Sequence, residues 1–288
     1  MARARLDGVL SLRTLADADR IRAALGVGRR IVVVGAGWIG LEVAAAARQA
    51  GADVTVLAGD ALPLRQVLGD ELATVFRDLH EEHGVEFRSG AKPAAFVGDR
   101  HVRAAVLADG SEVPADAVVV GVGVDPAVAL AEMAGLAVDN GVLVDAGLRT
   151  SDPDIYAAGD VANIDHPVLG RMRVEHWANA VNGAPVAAKA MLSQEVSYTD
   201  LPYFFTDQYE LGMEYIGYHH PGGYDQVVYR GDLDEREFCA FWLAGGVLQA
   251  SMNVNVWDVV SAATTMIGRP VDAAKLADPD VSLADVAH

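Results

Sequence analysis

The apolar positions along the chain follow two different spacings. At residues 14–25 they recur every three to four residues behind a Thr-x-x-Asp capping box, which predicts a helix. Residues 31–34 form a continuous β-branched run, which predicts a strand buried on both faces of a parallel sheet. A helical pattern at 38–50 and a strand pattern at 53–57 follow. These segments predict a β-α-β unit.

The same spacings continue through the rest of the chain. They predict an amphipathic helix, a strand, a group of strands around an Asp-Gly turn, a further strand and a helix of small residues, at residues 70–83, 85–89, 102–123, 154–160 and 176–192. After residue 199 aromatic residues become frequent, which predicts a separate antiparallel sheet with a short helix behind it.

Composition and charge exclude several classes of protein. Of the 288 residues, 52% are hydrophobic and 29 are glycine, which is typical of an α/β protein. The net charge of −18 argues against nucleic acid as a partner, because phosphate binding needs clusters of Lys and Arg. No apolar run is long enough for a membrane span, and no signal peptide is evident, so we expect a cytoplasmic protein. The single Cys239 excludes an internal disulfide.

One short segment resembles a metal site. His80 and His83 enclose two glutamates, but the two histidines are three residues apart rather than the four of a zinc-binding His-Glu-x-x-His helix. The segment ends a polar helix. We therefore predict a solvated helix face here, and no metal site in the chain.

The clearest chemical signal is a glycine-rich turn, Gly35-x-Gly37-x-x-Gly40. It follows a strand and opens a helix inside the predicted β-α-β unit. In this context the first glycine permits a tight turn, the second lets a diphosphate approach the backbone, and the third lets helix and strand pack closely. The helix N-terminus adds N–H groups and a positive dipole. The turn therefore predicts a dinucleotide site.

The residue type expected at the ribose is missing. An acidic residue about 20 positions after the first glycine usually bonds the adenosine ribose. Here Ala58 follows the predicted second strand, and Asp60 is the nearest carboxylate. Arg65 is a distant candidate for binding a 2′-phosphate. The sequence favours NAD and does not exclude NADP.

Five segments, in order, resemble the FAD-dependent pyridine-nucleotide reductases: GAGWIGLEVAAAARQAGADVTVL, ADAVVVGVGVDP, LRTSDPDIYAAGDVAN, RVEHWANA and LPYFFTDQYELGMEYIGY. The nearest branch is the ferredoxin and rubredoxin reductases, which are related to apoptosis-inducing factor. The resemblance implies a Rossmann-like α/β NAD-binding domain, part of an FAD-binding domain, and an α+β C-terminal domain with an antiparallel sheet. It places these domains at residues 14–125, 126–198 and 199–288, after an FAD-domain remnant at 1–13.

The resemblance also assigns roles to residues. NAD would be bound by Gly35, Gly37, Trp38, Ile39, Gly40, Glu42, Gly121 and Gly123. Glu42 would lie near the nicotinamide amide, the last two glycines would line the nicotinamide side, and Trp38 would pack beside the site. Hydride transfer needs aligned rings rather than a protein acid or base, so no other catalytic residue is expected.

FAD would be bound by Gly159, Asp160, His176 and Trp177. Asp160 would accept a hydrogen bond from the ribityl chain, and the helix that opens near His176 would point its positive end at the flavin ring. Electrons would pass from NADH through FAD to a ferredoxin- or rubredoxin-type partner. Arg171 and Arg173 are candidate contacts for an acidic ferredoxin.

Relatives of this kind begin with their own glycine turn for the FAD diphosphate, whereas this chain starts beyond that point. We therefore expect an N-terminally truncated reductase that acts as a homo-oligomer or with a complementing chain. The alternative is an NAD-binding protein that has lost tight FAD binding and reductase activity. A plain NAD-dependent dehydrogenase is disfavoured, because no Ser-Tyr-Lys set or His–Asp pair stands near the nicotinamide position.

Overall fold

The structure, a computed structural model, describes residues 6–286. Residues 1–5 of the predicted N-terminal segment and residues 287–288 of the predicted C-terminal domain lie outside this range. The chain divides into two compact units, the first containing the segment up to Gly123 together with Thr206–Leu211. No helix within the described range is both long and apolar enough to span a membrane.

The first unit is an α/β unit. Its elements are β1 (Val9–Ser11), α1 (Leu15–Ala24), β2 (Arg30–Val34), α2 (Trp38–Gln49), β3 (Asp53–Ala58), α3 (Arg65–Leu68), α4 (Asp70–Glu82), β4 (Glu86–Ser89), β5 (Pro93–Gly98), β6 (Val102–Leu107), β7 (Glu112–Pro114) and β8 (Ala117–Val120). Five strands form a parallel sheet in the order β1-β8-β2-β3-β4. The other three form an antiparallel sheet in the order β5-β6-β7. The predicted Rossmann-like arrangement is present.

Strand β2 is buried on both faces, as its β-branched run predicts. Ile31 and Val33 pack in a cluster with residues of α1 and α2. Val32 and Val34 belong to a cluster that contains residues of β6 and β7. Since alternate residues of a strand point to opposite faces, both faces of the sheet are covered at its centre.

Helix α1 begins where its capping box predicts. The Thr14 side chain accepts a hydrogen bond from the Asp17 backbone N–H at 3.2 Å, and the Asp17 carboxylate accepts one from the Thr14 N–H at 2.8 Å. The predicted apolar face is only partly buried, because Ile21 is 6% exposed whereas Leu15 is 81% exposed. The cap therefore determines the start of the helix, and burial of one side chain holds the helix against the sheet.

The second unit contains α5 (Ala129–Met133), β9 (Val142–Val144), a 3-10 turn (Gly159–Val161), β10 (Ala162–His166), β11 (Gly170–Met172), α6 (Trp177–Met191), β12 (Tyr203–Gln208), β13 (Leu211–Gly217), β14 (Gln226–Asp232), β15 (Glu237–Ala244), β16 (Val247–Val254), α7 (Val260–Met266), α8 (Ala273–Ala277) and a 3-10 turn (Leu283–Asp285). The last residues of β12 and the first of β13 group with the first unit. The predicted antiparallel sheet has the order β12-β13-β16-β15-β14, and a small sheet has the order β11-β10-β9.

The strand predicted at residues 154–160 is wrong. Tyr156 forms only an isolated bridge with Arg149, and the chain turns at Gly159, which has a φ of +74°. A positive φ is incompatible with a continuing strand, so the segment bends into a 3-10 turn instead. That bend places the turn containing Asp160 against α6.

Candidate functional site

The turn between β2 and α2 has the geometry that a glycine-rich dinucleotide turn requires. Gly35 has a φ of +103°, and a Cβ there would overlap the carbonyl oxygen of Gly121. A Cβ on Gly40 would overlap the carbonyl oxygen of Gly35. A Cβ on Gly37, in contrast, would meet no described atom within 4 Å. Two glycines therefore permit close backbone packing, and the third keeps an approach open.

The open side of Gly37 faces a groove of about 810 Å³ within the first unit. Gly35, Gly37, Trp38, Gly121 and Gly123 all line it. The first backbone hydrogen bond of α2 runs from the Leu41 N–H to the Gly37 carbonyl, so the preceding N–H groups have no acceptor inside the helix. Donors of this kind at a helix N-terminus bind phosphate groups.

Trp38 forms one wall of the groove. Its ring meets that of Phe76 on α4 edge to face, with a centroid distance of 5.4 Å. Ile39 is 46% exposed and does not line the groove. Gly40 lies behind the turn, where it packs helix against strand.

The far end of the groove lies where β3 ends. The strand includes Ala58, one residue more than the pattern predicts, so Gly59 is the first residue after it. Asp60, Arg65 and Lys92 also line this end. This end of the groove thus has no carboxylate directly after β3, and it has positively charged side chains beside it.

Glu42 does not line the groove. It lies one turn further along α2, and its carboxylate accepts a hydrogen bond from the Thr206 hydroxyl at 2.7 Å. Thr206 in turn accepts a hydrogen bond from the Gln208 amide at 3.1 Å, and the Gln208 carbonyl oxygen meets Nε2 of His80 at 2.8 Å. The Gln208 carbonyl oxygen can only accept, so His80 donates to it. Each hydrogen bond of this series is therefore donated in the direction of Glu42.

The segment from His80 to His83 differs from its predicted solvated face. His80 is fully buried on α4, and that burial lowers the pKa of its imidazole below the usual value. His83 stacks on Tyr209 at a centroid distance of 3.7 Å and lies 3.2 Å from the Glu210 carboxylate. The pattern failed because the covering segment, Thr206–Leu211, is distant in sequence. No group of three His, Cys, Asp or Glu in residues 6–286 is arranged to hold a metal ion.

A second cluster of candidate residues lies in the second unit, at the start of α6. Gly159 packs against Ala180, since a Cβ at Gly159 would lie 3.3 Å from the Ala180 Cβ. His176 is the residue before α6, and burial lowers the pKa of its imidazole to about 4, although the charge of Asp160 acts in the opposite direction. Gly159, Asp160 and His176 are therefore brought together. Trp177, the first residue of α6, is 77% exposed.

One further residue of this cluster, Asn179, carries no sequence signal of its own. Asn179 is 2% exposed, and both its amide nitrogen and its amide oxygen have no hydrogen-bond partner among the described residues. The Nδ1 atom of His176 is buried and similarly without a described partner. Arg173 donates to the Asp160 carbonyl oxygen at 3.1 Å and pairs with Glu175 at 2.8 Å, so it supports the Asp160 turn.

Comparisons with known proteins identify the family of the chain. Residues 3–184 match the family described as "Pyridine nucleotide-disulphide oxidoreductase", and residues 203–287 match a family described as "Reductase C-terminal".

The chain belongs to the pyridine nucleotide-disulphide oxidoreductase family.

Relatives in this family are ferredoxin reductases. The chain is 43% identical to the anthranilate 1,2-dioxygenase system ferredoxin–NAD(+) reductase component of Burkholderia cepacia, over 94% of this chain and 68% of that protein. It is 38% identical to putidaredoxin reductase of Pseudomonas putida, over 85% of this chain and 58% of that protein. A solved structure of a covalent putidaredoxin reductase–putidaredoxin complex is similar with a TM-score of 0.90 and 35% identity, over 96% of this chain and 68% of that chain.

These similarities confirm two predictions from the sequence. The chain is a member of the FAD-dependent reductase family with ferredoxin reductases as its relatives, and its fold is the predicted mixed α/β architecture with an antiparallel C-terminal sheet. Family membership implies NAD(H) and FAD as the cofactors. The buried, unpartnered atoms of Asn179 and His176 fit such a group, because buried polar atoms normally find a partner.

Proposed function

We propose that this chain supplies the NAD(H) site and part of the FAD site of a reductase that passes electrons from NADH to a ferredoxin- or rubredoxin-type protein. The observation that carries the proposal is the open approach at Gly37, at the N-terminus of α2 and inside a groove of about 810 Å³. A backbone cradle of this kind suits a dinucleotide diphosphate. The family relationship supplies the reaction class.

In this proposal the first unit binds NADH. Gly37 and the N–H groups at the start of α2 hold the diphosphate, with Gly35 and Gly40 shaping the turn behind it. Gly121 and Gly123 line the nicotinamide end of the groove. Trp38 and Ile39 flank the turn. Glu42 lies outside the groove, and its carboxylate is held by the hydrogen bond from Thr206, so its role near the nicotinamide amide stays a prediction from the family resemblance.

The second unit would hold FAD through Gly159, Asp160, His176 and Trp177. We add Asn179 to this set because its amide is buried without a described partner. When bound, FAD would accept electrons in pairs from NADH and release them singly to the partner. His176 stays neutral at pH 7 because its pKa is about 4, so it presents an uncharged ring to the site. The positive end of the α6 dipole favours negative charge near Trp177.

Of the two arginines predicted to contact the partner, Arg171 and Arg173, only the first has an exposed side chain. The side chain of Arg173 is 10% exposed and is occupied by Asp160 and Glu175. Arg171 is 42% exposed, although it also donates to two backbone carbonyl groups. Arg171 therefore remains a candidate contact for an acidic ferredoxin, whereas Arg173 serves the Asp160 turn.

The test combines flavin stoichiometry with electron transfer. The chain is saturated with FAD, freed of unbound ligand and assayed by absorbance, and NADH-driven reduction of ferricyanide and of a ferredoxin is then measured. About one FAD per chain with NADH-dependent reduction of both acceptors supports the reductase. NAD binding without retained FAD would instead favour the alternative of an NAD-binding protein without reductase activity. Absence of binding of both nucleotides would reject the proposal.

A further inference from the structure

The groove end next to β3 lacks the residue that normally selects NAD. In dinucleotide folds a carboxylate after the second strand bonds the ribose hydroxyls and repels a 2′-phosphate. Here Ala58 is 1% exposed at the end of β3, and Gly59 follows it with no side chain. The position therefore presents no carboxylate to an additional group on the ribose.

A lysine occupies the space beside this glycine. A Cβ on Gly59 would lie 3.0 Å from Cε of Lys92 and 3.9 Å from its Nζ. The loop that carries Lys92 is attached to the β3 exit by two hydrogen bonds. The Ala91 N–H donates to the Ala58 carbonyl at 3.0 Å, and the Ser89 hydroxyl donates to the Ala61 carbonyl at 2.8 Å. Lys92 is thus anchored at the end of the groove by its backbone.

The charges around Lys92 leave its ammonium group available. Lys92 forms no ion pair with a carboxylate in the described part of the chain. Arg65 is already paired with Asp70, with the Nε and Oδ1 atoms 2.5 Å apart. Asp60 accepts a hydrogen bond from the Gln66 amide at 3.0 Å, which holds its carboxylate on the α3 side of the turn. Of the charged side chains described at this end of the groove, Lys92 is therefore the cation that has no carboxylate partner.

We propose that Lys92 binds the 2′-phosphate of NADP(H), and that the groove accepts NADP(H) as well as NAD(H). The inference rests on the proposed function, since it assigns a second substrate to the same groove. The ammonium group supplies a charge-assisted hydrogen bond to the phosphate. Gly59 contributes no side chain of its own, and no carboxylate follows β3 directly to repel the phosphate.

The first test compares the affinities of the two nucleotides. Titration calorimetry with NAD⁺ and NADP⁺ on the whole chain gives dissociation constants that we expect to lie within about tenfold of each other. Lys92→Gln is expected to weaken NADP⁺ binding by about tenfold, because one charge-assisted hydrogen bond is lost. The affinity for NAD⁺ is expected to change by less than about twofold. Lys275→Gln, on helix α8 of the second unit, is the matched control and should change neither affinity.

A second variant restores the missing carboxylate. Gly59→Glu is compatible with the backbone, and the neighbouring Lys92 side chain is flexible enough to shift by a few tenths of an ångström. We expect it to weaken NADP⁺ by about tenfold and to strengthen NAD⁺. Asp60→Asn tests the contribution of the other carboxylate at this end. Weaker NAD⁺ binding and stronger NADP⁺ binding in this variant would make Asp60 the selecting residue and would overturn the assignment to Lys92.

Two results distinguish failure of this inference from failure of the proposed function. If NAD⁺ binds but NADP⁺ is more than about a hundredfold weaker, the groove is an NAD site and the inference is wrong. Equal weakening of both nucleotides by Lys92→Gln would also reject it. If neither nucleotide binds to the whole chain, the proposed NAD site itself fails.

Discussion

The two candidate cofactor regions are built from different parts of the polypeptide. The groove in the first unit is made mainly of backbone, and Gly35, Gly37 and Gly40 shape it within six residues of sequence. The cluster in the second unit is made of buried side chains, and it joins Asp160 to His176 and Asn179 across intervening strands. None of the described residues that line the groove has a buried side-chain atom without a partner, whereas the second region contains buried polar atoms that have no described partner.

This difference has an energetic consequence. A backbone cradle needs no ligand to satisfy it, because its N–H groups are reached by water. Buried, unpartnered side-chain atoms lower the stability of the ligand-free chain, since each lost hydrogen bond costs about 1–3 kcal/mol. Substitutions in the groove should therefore alter nucleotide binding or backbone packing. Apolar substitutions in the second cluster should weaken FAD binding and stabilise the ligand-free chain.

The largest expected effect comes from Gly40→Val. A Cβ at this position would overlap the Gly35 carbonyl oxygen, and neither backbone segment can move without breaking the packing of α2 on β2. We expect the free energy of unfolding of the first unit to fall by at least about 3 kcal/mol. Urea unfolding followed by circular dichroism measures this loss. Stability within about 0.5 kcal/mol of the wild type would show that the turn is not close-packed.

The next effect concerns pH and the second region. Burial lowers the pKa of His176 to about 4, from 6.5 in the unfolded chain. Below pH 6.5 the unfolded chain therefore binds a proton that the folded chain does not, so stability falls as the pH falls from 6.5 toward 4. Between pH 7 and pH 5 we expect a loss of about 2 kcal/mol from this residue.

The control for this pH effect is His176→Gln. Other groups contribute to the pH dependence of the wild type, so the informative quantity is the difference between wild type and variant in the free energy of unfolding at each pH. That difference should change by about 2 kcal/mol across the interval. A constant difference would mean that the imidazole is not buried in solution.

A smaller effect is expected at Gly37, on the open side of the turn. Gly37→Ala places a methyl group where no described atom lies within 4 Å, so the unfolding free energy should change by less than about 1 kcal/mol. The methyl group would, however, obstruct the approach of a diphosphate, and we expect about tenfold weaker NAD⁺ binding by calorimetry. Unchanged affinity would place the nucleotide elsewhere. Together with Gly40→Val, this variant separates packing from binding within one turn.

Local patterns were sufficient to predict the first region. The strand, the glycine spacing and the capping box each depend on interactions between residues that are close in sequence, and β2, α2 and the start of α1 lie where they were predicted. The end of β3 was one residue longer than its pattern indicated, because Ala58 is buried and continues the ladder with Ser89.

Contacts between distant segments could not be predicted. The hydrogen bond from Thr206 to Glu42 joins residues 164 positions apart, and the burial of His80 depends on the same distant segment. A polar helix end appears solvated in the sequence until its covering segment is known. Asn179 was missed for a related reason, since an asparagine in the first turn of a helix is ordinary, and only its burial without a partner marks it.

The smallest expected effect concerns Asn179, and its sign tests whether the amide is satisfied in the ligand-free chain. Asn179→Leu replaces a buried amide that has no described partner with an apolar side chain of similar volume, so we expect the FAD-free chain to gain about 1 kcal/mol of stability. Asn253→Leu is the matched control, because Asn253 is also 2% exposed but donates to Glu214 and to the Val256 carbonyl, and its loss should destabilise the chain. Thermal unfolding with and without FAD measures both. If Asn179 exists to meet a ligand, its leucine variant should also lose the increase in melting temperature that FAD produces in the wild type. A destabilising Asn179→Leu would mean that the amide is already satisfied in the chain alone, and the second region would then resemble the first.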